Sequence, residues 1–370
     1  MRIRDEPPPS PIQIAPRSGR HPDTRRGLSR QARAVTVLTS LTALAVSSCN
    51  AVGSDGGDDY DETAVISDAV DKDTVLRIGD PRTQVALEAS GLIDELDFTP
   101  EWANIDGGPK TLEAFRADAL DVGAVADIPP LFATWTNTPV RIVSARRTVD
   151  PLDHPTYELG VAPGADVREL ADLRGKRIAY SPGQAQGALV LRVLEEAGLS
   201  QDEVDLVELQ STDDTFVNVI AKAEVDVAPL GIEQARSYLA KYEQDGASTI
   251  APGVPDDPWH LYVPTTTLQD GKKTAALKQY VQVWNKLNLW INDHREEYGD
   301  LYLVDHQGLS EEDARYVVDR QGDFAVPQNW DGLISEHQAT ADLLSREQDH
   351  PEIEVDDLYD RRFEPEELAA

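Results

Sequence analysis

The sequence predicts an α/β protein of two lobes, each a mainly parallel sheet flanked by helices, with a helical C-terminal extension. Three observations carry that prediction. Strand-like and helix-like segments alternate from residue 74 to about residue 231, an order that builds parallel sheets with helices on both faces. The alternation contains an internal echo. "RADALDVGAV" and "AKAEVDVAPL" each close a helix and enter a strand through an Asp-Val pair, at Asp121 and Asp226, which points to two similar lobes. Beyond residue 256 the alternation gives way to helical spacing, and a helical tail needs a sheet to cover.

The first lobe opens with "TVLRIGD", apolar and β-branched, followed by helical spacing in "TQVALEASGLIDEL". "DFTPEWANI" is a second strand, and "GPKTLEAFRADAL" a helix with Leu112, Phe115 and Ala119 on one face. "VGAVADIPP" and "VRIVSARR" continue the strands, so residues 74–165 form the first part of lobe one. Lobe two spans 166–255. There "RELADLRGKRIAYS" gives a short helix and a strand. Residues 186–197 then form a helix with Leu189, Val190, Val193, Leu194 and Ala197 inward, closed by Gly198. "VDLVELQ", "DDTFVNVIAKA" and "VDVAPLG" follow as strand, helix and strand.

Residues 256–345 return to lobe one. "WHLYVPTTTL" reads as one more strand, and a long helix runs from about Thr274 to Asn292. Ser310 is the cap candidate of "SEEDARYVVDRQ", and "NWDGLISEHQATADLLSRE" closes the extension. Residues 346–370 read as an acidic tail. Two lobes joined by more than one crossing make a hinge with a cleft between them.

The net charge of the 370-residue chain is −33. Residues 1–48 carry eight Arg against three acids, which leaves −38 on everything after them. So acidic a body excludes nucleic acid as a partner, since that binding needs Lys and Arg to displace counterions. The single cysteine excludes an internal disulfide and a thiolate-rich metal site. Cys49 ends "AVTVLTSLTALAVSSC", an apolar run of signal-peptide length and too short to span a bilayer. Arg25, Arg26, Arg30 and Arg33 precede it as a positive n-region. "TRRGLSR" partly resembles a twin-arginine signal, and the choice between the two export routes stays open, as does the start codon. "VSSC" resembles the lipobox of bacterial lipoproteins. Residues 1–48 are thus expected to be a signal peptide with lipobox, Cys49 the lipidated residue, and the acidic, Gly-rich stretch 49–73 a disordered tether. The protein is expected to be exported and lipid-anchored at the outer face of the cytoplasmic membrane, touching the membrane through that anchor only.

Several chemistries are missing. No phosphate-binding G-x-x-x-x-G-K-[ST], no G-x-G-x-x-G and no G-x-S-x-G occurs. The seven histidines are scattered without metal-ligand spacing. His154 and His260 read as surface or loop residues. No cofactor, metal or catalytic residue is indicated, and the chain is not read as an enzyme.

The motif order "WANIDGGPKTLEAFRADALDVGAVADIPPLFA", then "IVSA", then "LADLRGKRIAYSPGQAQGALVLRVLEEAGLSQDEVDLVEL" resembles solute-binding proteins of nitrate, sulfonate and taurine ABC transporters. The resemblance covers about residues 74–240, with a looser continuation to about 345. It implies a type II periplasmic-binding-protein fold that closes on a small ligand, working as a monomer with an ABC permease and its ATPase subunit. The ligand it implies is a small organic anion or zwitterion, foremost an aliphatic sulfonate or taurine-like compound. Nitrate and a thiamine-precursor pyrimidine are the alternatives within the class. From another class, an exported lipoprotein enzyme or a non-transport surface receptor shares the sequence features.

Helix N-termini present unpaired N–H groups and partial positive charge, which suit an oxyanion. Two such termini are expected at the cleft: Gly107, Gly108 and Pro109 in lobe one, and Ser181, Gly183, Gln184, Ala185 and Gln186 in lobe two. Asp127 and Ile128 open a third helix, and Asp127 matches the aspartate of the family's Gly-Asp-Thr-Pro-Pro turn; it either caps that helix or accepts from a ligand amine. Asp80, Arg82 and Thr83 follow the first strand at the edge where open α/β sheets bind ligands, and Arg82 is the candidate charged contact. The sequence departs from the family at Gly187 and Ala188, where relatives carry a histidine and an aromatic residue. It departs again at Gly231, Ile232 and Glu233, in place of Trp-Asp-Pro. Gly231 and Glu233 are kept as ligand candidates.

Overall fold

A computed structural model describes residues 61–105, 107–212, 214–255 and 258–365. The expectations for the signal peptide, Cys49 and residues 49–60 lie outside them. The first lobe contains β1 (Val75–Gly79), α1 (Pro81–Ser90), β2 (Thr99–Trp102), α2 (Gly108–Arg116), β3 (Val122–Val125), α3 (Ile128–Trp135) and β4 (Val140–Thr148). The second contains β5 (Tyr157–Val161), β6 (Arg177–Tyr180), α4 (Ala185–Glu196), β7 (Asp205–Glu208), α5 (Thr215–Ala221), β8 (Val227–Gly231), α6 (Ile232–Tyr242) and β9 (Ser248–Ile250). The chain then returns through β10 (Trp259–Pro264), α7 (Thr265–Gln269), α8 (Gly271–Asp293), α9 (Arg295–Gly299) and a π-helical stretch Asp300–His306. It finishes with α10 (Glu311–Arg320), β11 (Phe324–Ala325) and α11 (Asp331–Gln348).

Two sheets result, ordered β11-β4-β10-β3-β1-β2 and β7-β6-β8-β5-β9. Both are mixed rather than mainly parallel. β1 pairs in parallel with β2 and β3, and β6 with β7 and β8. The antiparallel insertions are the strands that enter from the other lobe. β5, reached from β4, lies antiparallel between β8 and β9; β10, reached from β9, lies antiparallel between β3 and β4. A strand that crosses the gap enters its new sheet from the opposite end, so its direction is reversed. The second sheet therefore takes its first strand from Tyr157, ahead of residue 166.

Each boundary has a local cause. Left-handed Asp118 (φ +49°) stops α2 early and leaves Ala119 exposed, while Phe115 is buried. Gly198 (φ +65°) follows α4, and Ser310 Oγ accepts from the Asp313 N–H at 3.1 Å to cap α10. α8 carries Leu277, Tyr280, Val281, Trp284 and Leu287 into the first lobe's core, all 3% exposed or less.

Two segments read as polar tails are packed instead. Ile66 is buried, and Asp68 and Asp71 pair with Lys278 and Lys272 of α8 at 2.7 Å each, so residues 61–73 lie along the body. Val355, Leu358, Tyr359 and Phe363 are buried as well, and Asp360 N donates to Ile142 O at 3.0 Å. Sparse apolar side chains suffice where a neighbouring groove accepts them, and charge count hides them.

Candidate ligand-binding site

The predicted residues sit where strands hand over to helices: Asp80, Arg82 and Thr83 after β1, Gly107, Gly108 and Pro109 at the start of α2, Asp127 and Ile128 after β3, Ser181 to Gln186 between β6 and α4, and Gly231 and Glu233 at the junction of β8 and α6. Their side chains are engaged more than the sequence suggested. Asp80 caps α1, accepting from the Thr83 N–H at 3.1 Å and from the Thr83 hydroxyl. Ser181 donates to Gln184 Oε1, and that oxygen accepts from the Ser211 N–H at 3.0 Å while Gln184 Nε2 donates to Ser211 O at 3.2 Å. Asp80, Thr83, Ser181 and Gln184 thus brace the loops that lead into α1 and α4.

The two glycine segments share one neighbour, α3. A Cβ on Gly108 would lie 2.4 Å from Pro129, and one on Gly183 would lie 3.0 Å from Phe132. Gly107, left-handed at φ +88°, has open space where its side chain would be. Pro109 is exposed, and Ala185, Gln186 and Glu233 are half-buried. The Gly231 N–H is taken up by Gln234 Oε1 at 3.3 Å. Ile128 is fully buried core.

Asp127 neither caps α3 nor faces solvent. It is fully buried; Thr340 Oγ1 donates to its Oδ2 at 2.8 Å, and Arg192 of α4 approaches the same oxygen at 3.5 Å. Its carbonyl pairs with His337 Nε2 at 2.9 Å, His337 Nδ1 with the Tyr359 hydroxyl at 3.0 Å, and that hydroxyl with His260 Nε2 at 3.0 Å. A buried polar chain therefore runs from β10 through α11 and α3 to α4. His260, read as a surface residue, lies inside β10 with no exposure, since β10 is central in its sheet.

Sequence reasoning missed the cationic and aromatic group beside Arg82. The Arg82 guanidinium stands 5.9 Å from the Trp259 ring centre and 5.5 Å from that of Tyr302. Arg146, at the end of β4, stands 5.9 Å from the same indole and 3.9 Å from the Phe324 ring, and donates to Asn288 Oδ1 at 2.6 Å. The signal was present in the paired arginines of "SARR" and in Trp259 opening the returning strand. What brings them together is the antiparallel pairing of Trp259 with Arg146. Among the described residues no group of acids, histidines or cysteines has the arrangement of a metal site, and no helix is long and apolar enough to cross a membrane.

Structural comparison decides the architecture. The alkanesulfonate-binding protein SsuA from Xanthomonas axonopodis pv. citri, solved bound to MOPS, superposes with a TM-score of 0.64 at 22% identity over 79% of this chain and 99% of that one. The fold is that of a type II periplasmic binding protein. Residues 116–256 match the family model described as NMT1/THI5 like. A putative aliphatic sulfonates-binding protein of Escherichia coli K12 is 30% identical over 112 residues, which are 30% of this chain and 34% of that protein. The chain thus spans about a third of that relative. A protein of the same description from Bacillus subtilis 168 is 24% identical over 272 residues, 71% of this chain and 76% of that protein. The chain is similar to solute-binding proteins of the sulfonate type, as its motif order implied. The fold alone does not fix an activity, because a desulfurization enzyme, DSZB, also superposes with a TM-score of 0.51 at 16% identity over 77% of this chain and 96% of that one.

Proposed function

We propose that this chain is the extracytoplasmic solute-binding component of an ABC importer, and that it captures an aliphatic sulfonate or a related small organic anion between its lobes. The reading is carried by the Bacillus subtilis relative, described as aliphatic sulfonates-binding, whose similarity runs along 71% of this chain. The two-lobed architecture suits capture without chemistry. The solute drives closure only by the difference in its affinity for the closed and open arrangements, and a permease with its ATPase subunit accepts the load. Cys49 is the proposed site of the lipid anchor, and a Cys49→Ala chain should leave the membrane fraction.

The test is a thermal-shift series on the purified chain with butanesulfonate, taurine, nitrate, sulfate and a hydroxymethylpyrimidine. A ligand present at 100 times its Kd adds about 2.7 kcal/mol of apparent stability, so a sulfonate response is readily seen. A melt moved by none of these, or by the pyrimidine alone, ends the sulfonate reading. An enzymatic reading needs a nucleophile beside a base. His260 and His337 are both buried against Tyr359, and the one cysteine precedes β1 in the sequence. Sulfonate recovered unchanged after incubation keeps the receptor reading; released sulfite or sulfate replaces it with catalysis.

A further inference from the structure

The first lobe brings two guanidinium groups to one indole, those of Arg82 and Arg146 beside Trp259. β4 and β1 run in the same direction through their sheet, since each is related to β3 by zero or two antiparallel steps. The end of β4 and the start of α1 therefore share one edge, Arg146 arriving from the first and Arg82 from the second. Trp259 lies 5.9 Å from each guanidinium and is common to both.

Arg146 is the unusual member. It touches neutral groups: the Asn288 amide oxygen and the faces of Phe324 and Trp259. Among the described residues no carboxylate lies within ion-pairing distance of it, although it is half-buried and a cation drawn out of water ordinarily has one. Burial pushes the guanidinium down to about 10, with Arg82 acting in the same direction and Tyr298 and Asp80 opposing; it still carries its charge at neutral pH. Asn288 is itself buried and donates its amide to Trp284 O at 2.8 Å, which fixes the oxygen that orients Arg146. Over Arg82 stands a ladder of rings, Tyr298 on Tyr302 at 5.7 Å and Tyr302 on His306 at 5.6 Å, the latter pair within the π-helical stretch. Helical segments of that kind recur at functional sites.

We propose that Arg146, together with Arg82, forms the cationic subsite that holds the oxyanion head of the solute against Trp259, and that the solute is an organosulfonate with an apolar or aromatic body and no ammonium group. This rests on the receptor reading above and narrows it. A planar guanidinium donates two parallel hydrogen bonds to an oxyanion, which a lysine does not. The ring faces around the pair suit a hydrocarbon or aryl body. Asp127, the carboxylate expected to receive an ammonium, is buried under Thr340 and Arg192, and two guanidinium charges beside Trp259 would repel one there.

The experiment uses the full chain and its Arg146→Gln, Arg146→Lys and Trp259→Phe variants, titrated calorimetrically with butanesulfonate, benzenesulfonate and taurine. The wild type should bind both simple sulfonates at least tenfold more tightly than taurine. Arg146→Gln should weaken them by roughly 10- to 100-fold, the scale of a lost charge-assisted hydrogen bond, and should flatten their salt dependence; Arg146→Lys should fall between. A folded Arg146→Gln chain that binds butanesulfonate as the wild type does overturns the subsite and leaves the receptor reading standing. Taurine bound as tightly as butanesulfonate overturns the assigned class. A wild type that binds no sulfonate fails the receptor reading itself. Should Arg146→Gln not fold by circular dichroism, Trp259→Phe keeps both arginines and must abolish the change in indole emission on adding benzenesulfonate; an undiminished change overturns the proposal.

Discussion

Asp127 of the first lobe and Arg192 of the second meet at 3.5 Å, with side chains 1% and 19% exposed, and Thr340 of α11 donates to the same carboxylate oxygen at 2.8 Å while receiving Arg192 on its hydroxyl. α11 is therefore a third tie between lobes, beyond the two chain crossings. It extends onto lobe two through Gln201, whose Nε2 donates to Glu347 Oε2 at 2.9 Å. A double-mutant cycle of Asp127→Asn and Arg192→Met should return a coupling of about 1–3 kcal/mol in chemical denaturation, since the two share a partner in a largely dry site. A coupling indistinguishable from zero would mean that the pair is incidental to lobe docking.

The internal echo has a physical basis that supports a second prediction. Asp121 Oδ2 accepts from the Arg77 backbone N–H at 2.9 Å and Oδ1 accepts from its guanidinium at 2.7 Å; Asp226 receives Arg177 identically, at 2.8 Å and 2.8 Å. Each Asp thus locks a parallel neighbour, β1 or β6, to the strand it opens, β3 or β8. Their surroundings differ. Asp121 is 2% exposed and also holds Lys273, whereas Asp226 is 21% exposed and Arg177 is 40% exposed. Burial works against ionisation of Asp121, but Arg77 and Lys273 outweigh it and keep its carboxyl below the usual range. Asp121→Asn should cost about 3 kcal/mol, in the range of a broken buried pair, and Asp226→Asn about 1 kcal/mol because solvent screens it. Equal costs would refute the argument from burial.

The same pair explains what was legible beforehand. The Asp-Val repeat, the Ser310 cap and the apolar stripe of α8 are local patterns, and local patterns survive in one dimension. The strand direction of β5 and β10 does not, because it depends on which sheet the chain enters. Nor does the setting of Arg146, which becomes part of a site only when Trp259, 113 positions later in the sequence, pairs with it. The sequence places Asp127 at a helix start, and the structure gives it a buried bond to Thr340. Its neighbour Thr340 lies 213 residues away, and nothing in "DIPP" announces it.

The buried histidines set an acid limit. Burial pushes His260 down to about 3, aided by His337 and opposed by Asp127; burial pushes His337 down too, again with Asp127 opposing. Both imidazoles are neutral in the fold, so the unfolded chain takes up protons first, from its ordinary value of about 6.5. Their contribution is complete above that value and is lost as pH falls from it toward the depressed folded values. Between pH 6.5 and 5 the loss from His260 is about 2 kcal/mol, and His337 adds to it in the same direction. Asp121 and Asp226, whose carboxyls are held low, lose their contribution only in more acid solution. Urea unfolding at pH 7.5 and 5.0 should show the drop, and a His260→Gln, His337→Gln chain should show much less of it. A midpoint unchanged between the two pH values in the wild type would contradict the assignment.

Phe132 gives Gly183 a reason to be glycine that Gly107 lacks. Both are left-handed, at φ +80° and +88°, but a Cβ on Gly183 would stand 3.0 Å from the Phe132 ring while one on Gly107 would meet nothing within 4 Å. Phe132 has little freedom to yield, because it packs edge-on against Trp135 at 5.2 Å and His350 at 5.1 Å, which are themselves stacked at 4.1 Å. Gly107→Ala should therefore cost only the strain of its own backbone, which at φ +88° and ψ +143° lies in a region held almost only by glycine, about 1–3 kcal/mol. Gly183→Ala should cost its own backbone strain plus about 1 kcal/mol for overpacking. Adding Phe132→Leu to Gly183→Ala should recover the second part, measured against Phe132→Leu alone, and none of the first. A Gly183→Ala loss that Phe132→Leu leaves unchanged would show that the ring does not confine Gly183.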